Sequence, residues 1–94
     1  MELYFDDFDW LPELEEKVLV KHGLQAYEVE ECFYDPNLKL RVAQSGKYHL
    51  YGRSESGQYI FVVFAFKHVQ GKRFARPITA RIMTSRERRY YQGK

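Results

Sequence analysis

Between Tyr59 and Phe66 the chain reads YIFVVFAF, apolar at odd and even positions alike. A strand with one wet side alternates, and an apolar run of this kind on a sheet edge would recruit other chains. The pattern therefore demands a middle strand with neighbours on both sides. Whatever else the chain does, it must be arranged around a sheet. The run is also far short of the ~20 residues that cross a bilayer.

The flanking sequence supplies the neighbours. Leu38 to Gln44 alternates Leu38, Leu40 and Val42 against Lys39 and Arg41, Ser45-Gly46 turns, and Tyr48 to Ser54 runs back as a second strand. Glu55-Ser56-Gly57 makes the next turn, and Gln70-Gly71-Lys72 leads from the middle strand into a fourth, Arg73 to Ile82. Pro77 lies inside that last strand without an N–H to donate, which calls for an edge position or a bulge. Thr84-Ser85-Arg86-Glu87 has the form of a capping box, so a short helix is expected from there to about Tyr91.

Ahead of Asn37 the apolar period is close to 3.6 rather than 2. Pro12 suits a first helical turn, Leu11, Leu14 and Val18 recur at helical spacing, and Lys21, His22 and Gly23 close the helix with cations and a C-cap glycine. A second helix places Ala26, Val29, Cys32 and Phe33 inside and Glu28, Glu30 and Glu31 outside, ending at Asp35-Pro36-Asn37. Leu3 to Trp10 alternates loosely and reads as a short strand or extended arm. The expected fold is α+β, ordered β-α-α-β-β-β-β-α, with helices packed on one face of an antiparallel meander. At 94 residues it is expected to be one small domain over 1–94.

Charge is sorted along this plan. Met1 to Asn37 holds eleven Asp/Glu and two Lys/Arg, a net of −9, whereas Leu38 to Lys94 holds two and thirteen, a net of +11. Basic charge gathered on one region of a folded body is the footprint of a polyanion partner. The acidic residues Glu13, Glu15, Glu16, Glu28, Glu30 and Glu31 are expected on solvated helix faces, where they would repel such a partner and turn it toward the sheet. Cys32 has no second cysteine to pair with, as suits a reducing compartment. MELYFDDFDW lacks the charge and apolar run of a signal peptide, so a cytoplasmic location and no membrane partner are expected.

Two stretches carry a family resemblance. Val20-Lys21-His22-Gly23-Leu24 with Glu28-Val29-Glu30, and Ile78 to Tyr90 (ITARIMTSRERRY), resemble the Lys-His-Gly-aliphatic and Ser/Thr-Ala-Arg…Glu-Arg…Tyr signatures of the BrnT family of toxin-antitoxin toxins. Tyr48-x-x-x-Gly52-Arg53-Ser54 between them is similar too. The chain departs from the commoner pattern at Val18, where an Asn often precedes Lys-His-Gly, and at Pro77. The resemblance implies a RelE-like fold, ribonuclease activity that stalls translation, and neutralisation by a cognate antitoxin in a complex with two copies of each chain. It implies DNA contact only indirectly, through that antitoxin.

Cutting RNA without a metal uses the 2′-hydroxyl as nucleophile, with a base, an acid and cations around the phosphate. Arg53, Arg76, Arg81 and Arg88 offer planar forks that match phosphate. Magnesium sites want carboxylates, of which the basic half has Glu55 and Glu87. One Cys and three scattered His show no zinc spacing, so no metal or cofactor is expected. Arg81 is the foremost catalytic candidate: by strand parity it faces away from Phe74, Ile78, Ala80 and Ile82, at a strand end before a helix. Arg76 joins it only if a bulge intervenes at Pro77.

Lys21 and His22 are further catalytic candidates, His22 because imidazole exchanges protons near neutrality, although cations in a last helical turn are also explained by the helix dipole. Glu87 is either a base beside Arg81 or simply the N3 member of its capping box. Arg86, Arg88, Arg89 and Tyr90 make a basic-aromatic helix suited to phosphate contact and stacking. His49 and His68 read as surface or strand residues, and Tyr48, Tyr51 and Tyr59 as ordinary sheet residues for which a stacking role stays open. Three functional readings remain: a metal-independent endoribonuclease, a non-catalytic basic module that binds nucleic acid or an acidic protein, and a domain whose charge split drives head-to-tail self-association.

Overall fold

The computed structural model describes residues 3–93; Met1, Glu2 and Lys94, which count in the charge totals, lie outside the described residues. The chain runs β1 (Asp7–Phe8), α1 (Pro12–His22), α2 (Ala26–Cys32), β2 (Lys39–Val42), β3 (Lys47–Arg53), β4 (Tyr59–Val69), β5 (Lys72–Ile82) and α3 (Ser85–Gln92). The sheet order is β1-β5-β4-β3-β2, so the doubly apolar run does form the middle strand. Ser45-Gly46 and Gln70-Gly71 have positive φ at each position, a conformation that matches the twist of the strands they join. Gln70-Gly71 is a two-residue turn between paired Val69 and Lys72, whereas the Ala43 N–H donates to the Lys47 carbonyl (2.8 Å) and so three residues, Gln44-Ser45-Gly46, lead from β2 to β3.

β2 through β5 are antiparallel, as the turns require, but β1 pairs with β5 in parallel, aligning Asp7 with Phe74 and Phe8 with Ala75. The sheet is therefore mixed rather than wholly antiparallel. No hairpin connects β1 to β5, so turn chemistry does not set its direction. Tertiary bonds do: the Asp6 N–H donates to the Arg73 carbonyl (2.7 Å), and the Arg73 N–H to the Asp6 carboxylate (2.8 Å).

The core fills the sheet face that carries Leu50, Ile60, Val62, Phe64, Ala75 and Ala80, and α1 and α2 cover it with Val18, Leu24, Val29, Cys32 and Phe33. Phe5 and Phe8, tilted against each other, both meet Phe33 edge-on, and Phe33 meets Phe64 edge-on, extending this core. Gly52 allows α2 to approach so closely, since a Cβ there would lie 2.7 Å from Cys32 Cβ and 2.9 Å from its carbonyl oxygen. Burial, ahead of the charges of Asp35, Glu31 and Glu28, pushes the Cys32 thiol up to about 12, leaving it an inert apolar group.

Three expectations change here. The third helix does not join the other two: Tyr91 of α3 and Met83 pack with Tyr51 and Phe61, on the opposite face. Glu28 is buried rather than solvated. Its carboxylate accepts from the Gln25 N–H (3.0 Å) and from the Ser56 hydroxyl (3.0 Å), tying the start of α2 to the β3–β4 turn. Glu30 and Glu31 likewise accept from Trp10 Nε1 (2.8 Å) and the Glu55 N–H (3.0 Å), so the acidic stripe of α2 holds neighbouring segments in place.

Pro77 sits at a bulge. Val63 aligns with Thr79 and Phe64 with Pro77, leaving Ile78 unmatched. Pro77 is thereby fully buried while Ile78 is exposed. The extra residue reverses strand parity, so Phe74 and Arg76 share a face with Thr79 and Arg81. The simple alternation that set Phe74 opposite Arg81 is corrected by this one residue.

Candidate active site

On the face away from α1 and α2, the strand register aligns side chains in rows. One row runs Lys39, Tyr51, Phe61, Arg81, and the next runs Arg41, His49, Val63, Thr79. Arg53 and Tyr59 stand opposite each other beyond the first row. Cationic and aromatic groups thus stand side by side on this face, and α3 lies at its margin.

Arg81 and Glu87 are brought together. Arg81 Nη1 and Nη2 donate to Glu87 Oε1 and Oε2, each at 2.8 Å, and the Arg81 guanidinium lies 4.6 Å from the centre of the Phe61 ring. Glu87 Oε1 also accepts from the Thr84 N–H (2.9 Å), while Thr84 Oγ1 accepts from the Glu87 N–H (3.2 Å), completing the expected capping box. Arg81, more than Thr84, holds the Glu87 carboxyl below its ordinary pKa, and Glu87 raises that of Arg81 in return. The geometry is that of a planar cation fixed on an aromatic floor with one edge gripped by a carboxylate.

The remaining cations surround aromatic rings. The Arg88 guanidinium lies 3.9 Å and that of Arg53 5.2 Å from the Tyr59 ring centre. Arg88 and then Gln92 hold the Tyr59 phenol below its usual pKa. Tyr90 packs edge-on against Tyr51 (4.8 Å), with Lys39 Nζ at 4.8 Å and Arg41 at 5.6 Å from its ring centre. Lys39 Nζ also donates to the carbonyls of Tyr90 (2.7 Å) and Gly93 (2.8 Å), capping α3. Tyr91 anchors the same helix by donating its hydroxyl to Asp35, which also accepts from the Arg53 N–H (2.8 Å). Burial, and then the bond to Asp35, push the Tyr91 phenol upward. Arg53, Tyr59 and Tyr91 line a cleft of about 430 Å³ that opens beside the Arg81 row.

The other candidates lie elsewhere or are engaged. Lys21 and His22 are exposed in the last turn of α1, which packs on the far face, so the fold does not bring them to Arg81. Gly23 caps that helix in the left-handed conformation, as the dipole-and-cap account requires. Arg76 reaches the Arg81 face through the bulge but is bound to Asp9, Nε at 2.8 Å and Nη2 at 2.7 Å from Oδ2. Arg86 and Arg89 are exposed on α3. Arg41 and Phe61 join the site without having been singled out in the sequence, and Tyr51, read there as a sheet residue with a stacking role open, joins it too. Parity counted outward from Arg81 across the three hairpins finds them only once the bulge at Ile78 is included, because the uninterrupted register of the Val69–Lys72 pair would set Arg81 opposite Ile60.

A family model described as the ribonuclease toxin, BrnT, of type II toxin-antitoxin systems matches residues 10–87. The chain belongs to the BrnT family. Membership implies an antitoxin protein as partner and RNA as target. No curated protein sequence matches the chain. Among solved structures it is similar to the 1.1 Å crystal structure of the Brucella abortus ribonuclease toxin BrnT, with a TM-score of 0.63 at 18% identity, covering 84% of this chain and 97% of that one. At that identity the likeness speaks for the fold. The BrnT signature residues divide in this structure: the stretch around Arg81 and Glu87 builds the basic-aromatic face, and Lys21-His22-Gly23 closes a helix behind it. No helix among the described residues is long and apolar enough to cross a membrane.

Proposed function

We propose that this BrnT protein is a metal-independent endoribonuclease, RelE-like in fold, that binds RNA across the basic-aromatic sheet face and stalls translation by cutting it. The observation that carries the reading is Arg81, stacked on Phe61 and held by both oxygens of Glu87 at 2.8 Å. Such a guanidinium is oriented before substrate arrives, so little reorganisation is needed as charge builds on the phosphate. Glu87 acts as a positioning residue, because its oxygens are already occupied by Arg81 and Thr84.

Arg53 and Arg88 stack on Tyr59 and, among the described residues, neither forms an ion pair, which suits them to hold a neighbouring phosphate. Tyr90, Arg86 and Arg89 extend the contact along α3. Lys21 and His22 take no part in this reading. The cytoplasm, where RNA and ribosomes meet the protein, is the compartment it requires. A cognate antitoxin, in a complex with two copies of each chain, silences the enzyme, and the same cationic face is the surface an acidic antitoxin segment would cover.

The test is cleavage of total RNA by the purified chain in EDTA, with and without ribosomes, beside Arg81→Ala. Cleavage by the wild type that leaves cyclic phosphate and 5′-hydroxyl ends, and falls by about 10²–10³ in the variant, is the expected result. Cleavage that stops in EDTA and returns with magnesium would refute metal independence. Binding without any cleavage would replace the enzyme by a non-catalytic RNA module.

A further inference from the structure

The Arg81 face has a cation for the phosphate but no free base among the groups already assigned. Both oxygens of Glu87 are occupied. Tyr51 is buried beneath Tyr90, and Tyr59 lies among arginines. The chain's three histidines take different positions. His22 ends α1 behind the sheet. His68, aligned with Arg73, falls by alternation on the Phe64 and Phe66 side of β4, which is the helix side. Among the described residues, His49 alone shares the Arg81 face.

His49 lies in β3, aligned with Arg41 on β2 and Val63 on β4. Its ring is partly buried and stands edge-on to Phe61, with centroids 5.2 Å apart and planes at 70°. The Phe61 ring thus neighbours both groups, with the His49 ring 5.2 Å and the Arg81 guanidinium 4.6 Å from its centre. Charged groups on the elements packed around His49 are Lys39 and Arg41 on β2, Lys47 and Arg53 on its own strand, and Arg81 on β5 with Glu87 of α3 behind it. β4 contributes apolar Phe61 and Val63.

We infer that His49 is the proton-transfer residue of this site, taking the proton of a ribose 2′-hydroxyl whose adjoining phosphate rests on Arg81. The inference rests on the ribonuclease reading of the same face. The neutral imidazole accepts the hydroxyl proton as O2′ bonds to phosphorus. The bond from phosphorus to O5′ breaks, and the imidazolium returns its proton to the departing oxygen. The products are a 2′,3′-cyclic phosphate and a 5′-hydroxyl, and the side chain ends as it began, with no co-reactant consumed. Histidine suits both halves of the cycle because it exchanges protons near neutral pH.

The experiment compares wild type, His49→Ala, His49→Gln and the control His68→Ala for RNA cleavage between pH 5 and 9 in EDTA, with and without ribosomes, alongside RNA affinity and circular dichroism. The expected loss in both His49 variants is about 10²–10⁴-fold. RNA affinity should stay within about threefold, a change worth less than ~1 kcal/mol. The wild-type decline on the acid side should vanish from the residual rate, and added imidazole should restore part of the activity of His49→Ala. The glutamine variant, close in size and polarity, keeps the test open if alanine disturbs the sheet. Wild-type cleavage with an undiminished rate in a folded His49 variant would overturn the assignment and leave the ribonuclease reading standing. A wild-type chain that cuts no RNA, even with ribosomes present, would sink that reading and His49 with it.

Discussion

On the helix-covered face of the sheet, Leu50, Ile60, Val62 and Phe64 are wholly withdrawn from solvent beneath α1 and α2, whereas on the other face Tyr51 and Phe61 are sheltered largely by α3 and single side chains such as Tyr90 and Arg81. The first face is held by area removed from water and by ring-to-ring packing, which is non-directional and collective. The second is held by directional pairs, a bidentate ion pair and cations over rings, each small in stability because it is partly exposed. The same strands thus divide labour by residue parity. Substitutions on one side should be read in unfolding experiments and on the other in RNA experiments.

The sharpest way to break this division is Phe64→Ala, which should cost about 3–5 kcal/mol in denaturant unfolding. Gly52→Val should also be severe, about 1–3 kcal/mol or more, because its side chain would drive α2 off β3 at Cys32. If either left stability unchanged, the helix-covered face would not be the core. Arg81→Ala belongs to the other class: cleavage falling by about 10²–10³ with stability altered by no more than ~1 kcal/mol. Equal losses in stability and activity would erase the distinction between the faces.

Glu87→Gln should cost about 0.5–2 kcal/mol through the weakened cap, and its effect should depend on pH. Arg81 holds the Glu87 carboxyl below its ordinary value. The stabilisation is therefore complete above the unfolded value of ~4.3 and fades as pH falls through the lower folded value. Wild type and variant should differ at neutral pH and converge in strong acid; a constant gap down to about pH 2 would contradict the linkage.

Smaller effects sharpen the comparison. Arg53→Ala and Arg88→Ala should each weaken RNA binding and reduce the slope of log affinity against log salt by about 0.7 for each phosphate no longer neutralised. Reversing Glu13, Glu15 and Glu16 to Lys should leave affinity nearly unchanged but blur the protection pattern on bound RNA, since these exposed charges on α1 sit behind the face proposed to bind it. An unchanged pattern would mean that the acidic helix does not orient RNA.

Local chemistry was legible in the residues. YIFVVFAF is a middle strand, Ser45-Gly46 turns a hairpin, Pro12 and Gly23 bound a helix, and Thr84 with Glu87 caps another, because each depends on neighbours a few positions away. Arg81 was legible as a candidate for the same reason, standing at a strand end before a cap. Arg76 was legible as a candidate too, but its engagement was not, since its bond to Asp9 joins residues 67 positions apart.

Thus the sequence by itself determined the elements, the central strand and the concentration of basic charge in the later half of the chain. Tertiary structure decided the parallel pairing of β1, the burial of Glu28, the side of the sheet on which α3 lies, and the bulge at Ile78 that turns Arg76 toward Arg81. The physical reason is range. Turn, cap and period energies act within a few residues, whereas a strand's partner and a helix's face are chosen by contacts that exist only once distant segments have met.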